Sequence, residues 1–390
     1  NIVYIKIFQS FCLEQNILSN DEKDYLIKYI DNVPFNTDEI DYDLLDKLNK
    51  QFNIEIDVDQ PINSGIIGVV FPGVILSKKE KEKEKEKEKV VIKILKKNIK
   101  SKLLNVFQEI ELITKIIRWI PYLNQLNLNK LFQDNKQLLL NQTDFMREAV
   151  NIEIFKSKFQ NMTEYKIPKI YKEITNEFNN IIVMENIKGL TIHDLVKYDK
   201  NICDTFGKIL LKFGFISILM TSAIHLDLHA GNIFFYINND SHLPKYQIGL
   251  IDFGLCSFPG RENQNIYYLF FHDMVYKKDF TNLEKINKIL RVLIEEKDIF
   301  DNLSTNNKDD LIKECINCLK NTFDKLDINF IINLSKIFRK YNLNYSSEFN
   351  QICLSLYSCD TLAELLCKDL NDTVLKSFNE ISNINKLIEI

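Results

Sequence analysis

The run His225-Leu226-Asp227-Leu228-His229-Ala230-Gly231-Asn232 is followed by Ile251-Asp252-Phe253-Gly254, and the pair leaves few folds open to the chain. An Asp five residues before an Asn, with a second Asp 20 residues after that Asn, supplies the oxygens that phosphoryl transfer needs. The first carboxylate can accept or orient a hydroxyl proton. The Asn carbonyl can bind Mg2+, and the second Asp is a hard, charged ligand for the metal that bridges phosphates. Between them, Ile233-Phe234-Phe235 and Ile248-Gly249-Leu250-Ile251 read as the strands of a hairpin that brings Asn232 and Asp252 together. Two rival readings compete. Asp227 and Asn232 could cap turns beside a chance tripeptide, or His225, Asp227 and His229 could be metal ligands on alternate residues of a strand. Neither gives Asp252 a task.

A nucleotide-dependent transferase needs further parts upstream, and they follow in order. Val91-Ile92-Lys93 reads as a strand carrying a lysine to the phosphates, and Glu148, on a later helix, is its natural ion-pair partner. Taken singly, Lys93 is as well explained as a surface lysine of an edge strand and Glu148 as an exposed helix acid. Gly65, Gly68 and Gly73 punctuate a β-branched run that includes Ile66, Ile67, Val69 and Val70. Met184-Glu185-Asn186 falls where a hinge between two lobes would offer its backbone to adenine. The cofactors expected are therefore ATP or ADP with Mg2+.

The organisation of the chain agrees with a small β-rich part followed by a helical one. Residues 1–50 have helical spacing and 51–188 hold the strands with two helical stretches, about 101–130 and 141–160. Short strands are expected at Ile167–Ile174 and Ile181–Glu185, then a long helix over about 203–224 and helical periodicity after residue 260. The lobes would join near Met184–Gly189, with 189–390 as the second. Inside the first lies the run Lys78–Lys89, KKEKEKEKEKEK, which reads as an extended hairpin loop. Removing its seven Lys and five Glu takes the charge balance from 50 against 54 to 43 against 49, so the body is mildly acidic. A net charge of −4 argues against a nucleic-acid partner. The eight Cys show no framework spacing and read as reduced thiols of an intracellular protein, Cys315-x-x-Cys318 included. The longest apolar stretch, Phe213–Leu226, is short of the roughly 20 residues that span a bilayer.

Three further segments make the sequence resemble the UbiB, or AarF-domain, family of atypical kinases, whose eukaryotic members are tied to coenzyme Q. Lys6-Ile7-Phe8-Gln9 is similar to the KxGQ signature of that family, and Pro61-Ile62-Asn63-Ser64-Gly65-Ile66-Ile67-Gly68 to its Ala-rich nucleotide loop. Gln142-Thr143-Asp144-Phe145-Met146-Arg147-Glu148-Ala149-Val150-Asn151 is similar to its ExD-plus-EAxN helix. The resemblance implies an α+β, bilobed protein-kinase-like fold with a small β-rich N-lobe, a helical C-lobe and an N-terminal helical extension over the cleft. Lys6 and Gln9 would belong to that cover. Asp144, Glu148, Lys93, Asp227, Asn232 and Asp252 would lie near the nucleotide. It also implies a Mg-ATP-dependent kinase or ATPase of a small or lipid-like molecule, with a lipid or membrane-surface contact and a mitochondrial location; no presequence is visible. Phe8 in place of Gly, Gln142 in place of Glu and Asn63-Ser64-Gly65 in place of Ala depart from the family pattern. A non-catalytic nucleotide-sensing scaffold, and a soluble kinase of the aminoglycoside or choline type, stay open as alternatives. The phosphoryl acceptor and the oligomeric state are not legible.

Overall fold

The structure, a computed structural model, describes residues 33–77, 86–117, 136–137, 139–321, 329–370, 376–378 and 380–381. Lys6, Gln9 and the expected helices before residue 33 lie outside the described residues, as do 78–85 of the charged run and 118–130 of the first expected helical stretch. The chain divides into two compact units. The first holds the described residues up to Glu153 with Pro168–Ile187 and Phe253–Leu255. The second holds Ile154–Ile167, Lys188–Asp252 and the described residues from Cys256 onward.

In the first unit a helix, α1 (Tyr42–Phe52), leads into strands β1 (Ile54–Ile56), β2 (Asn63–Ser64), β3 (Gly68–Ser77) and β4 (Glu86–Leu95). Helices α2 (Ile99–Ile117), α3 (Phe145–Lys158, its residues from Ile154 counted with the second unit) and α4 (Lys172–Glu177) follow, after which β6 (Ile181–Glu185) completes the sheet. Its order is β1-β3-β4-β6, with β2 also on β3, and every pairing is antiparallel. Alternation along β4 sends Val90, Ile92 and Ile94 into a fully buried core with Val69, Phe71, Ile181, Val183, Leu45 and Leu48. A second cluster joins Ile66 and Ile67 of the loop before β3 to Leu103, Val106 and Phe107 of α2, and to Val33. The Val33 N–H donates to the Ser64 carbonyl at 2.6 Å, tying the chain there to the same loop.

The charged run differs from expectation in its last third. The β3–β4 ladder continues to Ser77 opposite Glu86, so Glu86–Lys89 are strand, not loop. Alternating Lys and Glu also satisfy a period of two, and Lys169 secures this end through Glu88 at 3.1 Å. The expected strand Ile167–Ile174 is likewise not one element. Only Tyr165–Lys166 (β5) pairs in a ladder, Pro168 has no N–H to give one, and Lys172–Glu177 turns into α4.

In the second unit, after the short helix α5 (Ile192–Leu195), the buried helix α6 (Lys200–Ile216) ends in a wide π-helical turn, Ser217–Thr221. That shortens the expected helix 203–224. Ser222 takes a left-handed φ of 49° and its hydroxyl donates to the Pro259 carbonyl at 2.6 Å. The chain then enters β7 (Ile224–His225), which pairs with β10 (Cys256–Ser257). Strands β8 (Ile233–Ile237) and β9 (Tyr246–Leu250) form the expected hairpin, and β5 joins β9 in parallel. The rest is helical: α7 (Arg261–Tyr268) with a π-helical continuation to Tyr276, α8 (Leu283–Leu293), α9 (Lys297–Asp301), α10 (Thr305–Asn321), α11 (Asn329–Lys340) and α12 (Ser347–Glu364). Helix α12 packs closely on α6 because Gly207 and Gly214, two turns apart, present no side chain. A Cβ on Gly207 would stand 3.5 Å from the Ala363 carbonyl oxygen of α12 and against Cys367 Sγ just beyond it, and one on Gly214 3.1 Å from Cys359 Sγ. Among the described residues no helix is long and apolar enough to cross a membrane.

Candidate functional site

The alternation that buries Ile92 and Ile94 turns Lys93 to the other face of the sheet, in register with Val70 and Ile182. Met184 stands opposite Val91 and so shares that face. Lys93 Nζ lies 2.9 Å from each carboxylate oxygen of Glu148 and 5.4 Å from the centre of the Phe145 ring. Glu148 is 1% exposed and Lys93 16%. Such a pair is costly to break from one side, because the survivor is a buried charge. Glu148 occupies the first turn of α3, where the helix dipole also favours a carboxylate. Asp144, exposed, sits just before that turn and accepts the Arg147 N–H at 3.1 Å, so its direct task here is to cap α3.

The loop between β2 and β3 is closed by the Gly65 N–H donating to the Gly68 carbonyl at 2.9 Å. Gly68 is sterically required, since a Cβ there would be 2.7 Å from the Ile94 carbonyl oxygen and 3.5 Å from Phe145 Cζ. Gly65 is not. No glycine has a positive φ, and the nearest atom to a Cβ on Gly65 is 3.9 Å away. The backbone freedom that a glycine could give at position 65 is therefore not used. At the expected hinge, the N–H groups of Glu185 and Asn186 donate to the carbonyls of Lys169 and Lys89, at 2.8 and 3.1 Å. These two N–H groups are engaged within the unit, and a meeting of this backbone with adenine stands as an expectation.

In the second unit the loop after β7 is locked by its own side chains. His225 is fully buried; its Nδ1 accepts the Asp227 N–H at 3.3 Å and its Nε2 lies 3.3 Å from the Ile251 carbonyl. An accepting Nδ1 requires the hydrogen on Nε2, so the ring is a neutral bridge from the Asp227 loop to the residue before Asp252. Burial lowers the pKa of this imidazole, against the opposing pull of the Asp227 and Asp252 carboxylates. With both nitrogens engaged, His225 has no lone pair for a metal, and the three-ligand rival reading fails. His229 Nδ1 accepts the Gly231 N–H at 3.1 Å and is likewise part of the turn.

Asn232 Nδ2 donates to the Asp227 carbonyl at 2.8 Å, which leaves Oδ1 as the ligand end of the amide. The Ile251 N–H donates to the Asn232 carbonyl at 3.0 Å, so the hairpin does bring Asn232 beside the segment of Asp252. Asp252 has a φ of 58°, a left-handed conformation that a non-glycine residue holds only when its neighbours over-determine it. Mg2+ is usually bound through one or two protein ligands plus phosphate oxygens, and Asn232 with Asp252 fits that donor set. Among the described residues no cluster of three or more His, Cys, Asp or Glu could hold a metal unaided. Cys315 is buried and burial raises its thiol pKa, the behaviour of a packed side chain.

Two further side chains hold the site's backbone: Asn151, which ends the EAxN-like segment, and Ser355, which no motif marks. Asn151, 4% exposed, donates from Nδ2 to the Phe253 carbonyl at 2.8 Å. Its signal was its place one turn after Glu148 on α3. Ser355 of α12 donates to the His225 carbonyl at 2.9 Å, and no local pattern announces it.

Residues 42–315 match the ABC1 atypical kinase-like domain. Two proteins from Actinobacillus pleuropneumoniae, each described as a probable protein kinase UbiB, are 30% identical over 184 residues, 45% of this chain and 31% of theirs. The match thus spans under a third of the length of these relatives. The solved complex of Rv3197 with erythromycin from Mycobacterium tuberculosis has a TM-score of 0.50 at 15% identity, covering 93% of this chain and 87% of that one. The match to the domain takes in well over half of the chain and both groups of site residues. By that match the chain belongs to the UbiB/ABC1 family of atypical kinase-like proteins, with the α+β kinase-like fold of that family.

Proposed function

We propose that this kinase-like protein is a Mg-nucleotide-dependent phosphoryl-transfer enzyme or ATPase. The observation that carries the reading is the loop of the second unit. Its hydrogen bonds engage the Asn232 amide nitrogen, so that Oδ1 is the end left to act as an acceptor, and fasten the Asp227 loop to the residue before Asp252. In this reading Asn232 and Asp252 hold Mg2+, and Mg2+ when bound neutralises phosphate charge. Asp227 orients the nucleophile. Lys93, held by Glu148, contacts phosphate, and Met184 on the same sheet face meets the base. Gly68 keeps the β2–β3 loop close to the sheet for phosphate approach. By kinship with UbiB, the acceptor proposed is an isoprenoid or other lipid-like small molecule of the coenzyme Q kind, with water as its competitor.

The test is thermal unfolding of the full chain with ADP or ATP, with and without Mg2+. A Mg2+-dependent rise in Tm that Asp252→Asn abolishes is expected. No rise with any nucleotide, from a protein that unfolds cooperatively, would remove the reading. A rise without turnover would favour the nucleotide-sensing alternative.

A further inference from the structure

We propose that Asn151 is a positioning residue for the metal-binding segment, setting the backbone of Asp252 through a hydrogen bond to the next residue. The inference rests on reading Asp252 as a Mg2+ ligand and goes beyond it by assigning what holds that ligand in place.

Asp252 sits at φ 58°, and something must oppose its relaxation to an ordinary conformation. On its N-terminal side, Ile251 is held at both main-chain groups: its N–H donates to Asn232 at 3.0 Å and its carbonyl faces His225 Nε2 at 3.3 Å. On its C-terminal side stands Phe253, with a fully buried ring and a carbonyl that accepts from Asn151 Nδ2 at 2.8 Å. The Asp252 backbone is thus bracketed by hydrogen bonds on the residues before and after it. Asn151 supplies the second bracket from 102 residues away in sequence.

The residue type suits the task. An amide donates at every pH and remains neutral in a buried place, whereas a carboxylate there would set its lone pairs against the Phe253 carbonyl. Glu148 and Asn151 are three residues apart on α3 and lie on neighbouring positions of one helix face. One rigid helix therefore carries both the partner of Lys93 and the clamp on Phe253. Loss of Asn151 should leave Lys93 and Glu148 in contact and loosen only the Asp252 backbone. The consequence is a selective loss of Mg2+ affinity.

The experiment measures ADP binding to the full chain by calorimetry, without Mg2+ and across a Mg2+ titration. It compares wild type, Asn151→Leu, Asn151→Asp, the milder Asn151→Ser and Asp252→Asn. The Leu and Asp variants are expected to keep Mg2+-free ADP affinity within about twofold while needing about tenfold more Mg2+, a factor equal to about 1.4 kcal/mol. The Ser variant, with a shorter donor, should fall between them and wild type, and gives the reading if the other two do not fold. An unchanged Mg2+ requirement in the Asn151 variants beside a raised one in Asp252→Asn would overturn the proposal. So would an equal loss of ADP affinity with and without Mg2+, the mark of a merely structural role. If Asp252→Asn itself leaves the Mg2+ requirement unchanged, the metal reading of Asp252 is what fails.

Discussion

Replacing Gly68 by Ala tests how the nucleotide loop is seated on the sheet. The added methyl would stand 2.7 Å from the Ile94 carbonyl oxygen, a backbone atom in the β3–β4 ladder, and 3.5 Å from Phe145 Cζ. Backbone cannot swing aside as a flexible side chain can, so β3 or β4 must move by several tenths of an ångström. Overpacking of this kind costs about 1–3 kcal/mol. For a unit of this size each kcal/mol lowers Tm by about 2–4 °C, so a fall of at least about 2 °C is expected. Because Ile94 follows Lys93, the shift should also weaken Mg-nucleotide binding. Gly65→Ala is the internal control. Its new methyl meets nothing nearer than 3.9 Å and its φ is not positive, so Tm should stay level or rise, the unfolded chain losing about 0.4–1 kcal/mol of freedom. Circular dichroism melts of both variants give the comparison. Equal melting points, or a larger loss at Gly65, would refute the placement of the loop.

Other consequences follow from the same geometry. Lys93→Ala leaves Glu148, 1% exposed, without its ammonium partner, at a cost of about 3–5 kcal/mol. A carboxyl buried in that way has its pKa raised, so stability is retained below the unfolded value of about 4.3 and lost as pH rises through the folded one. Urea denaturation should therefore show a larger deficit at neutral pH than near pH 5, and a deficit independent of pH would contradict the pairing. His225, its pKa lowered by burial, should keep a neutral Nε2–H ring, with nitrogen NMR signals steady between about pH 5 and 8. Titration near its ordinary value of 6.5 would mean that the bridge between Asp227 and Ile251 is absent. Deleting residues 80–83 leaves a four-residue connection between the paired Ser77 and Glu86 and should leave nucleotide affinity within about twofold. A larger loss would give the charged run a task at the site.

The sequence made the hairpin from Ile233 to Leu250 readable because two short apolar runs flank polar turn residues. It made Lys93 and Glu148 readable as partners only through their order beside the Asp227–Asp252 motifs. Elements whose identity depends on tertiary context were not readable. Glu86–Lys89 could be loop or strand until the ladder with Leu76 and Ser77 is seen. The stretch Ile167–Ile174 has the apolar content of a strand, yet Pro168 and the turn into α4 divide it. Gly65 and Gly68 look alike in sequence, but only the second faces a backbone oxygen at close range. Asn151 and Ser355 act on carbonyls 102 and 130 residues distant, and no local spacing encodes such contacts. Lys6 and Gln9 lie outside the described residues, so the cover over the cleft stands as an expectation from resemblance.

The most direct test of the central claim is ATP turnover by the purified full chain beside Lys93→Ala and Asp252→Asn, each across a Mg2+ titration. Mg2+-dependent release of phosphate by the wild type is expected, with a loss of at least about a hundredfold in each variant, as follows when a charge aligned with the developing phosphate charge is removed. Equal rates in all three proteins would contradict it.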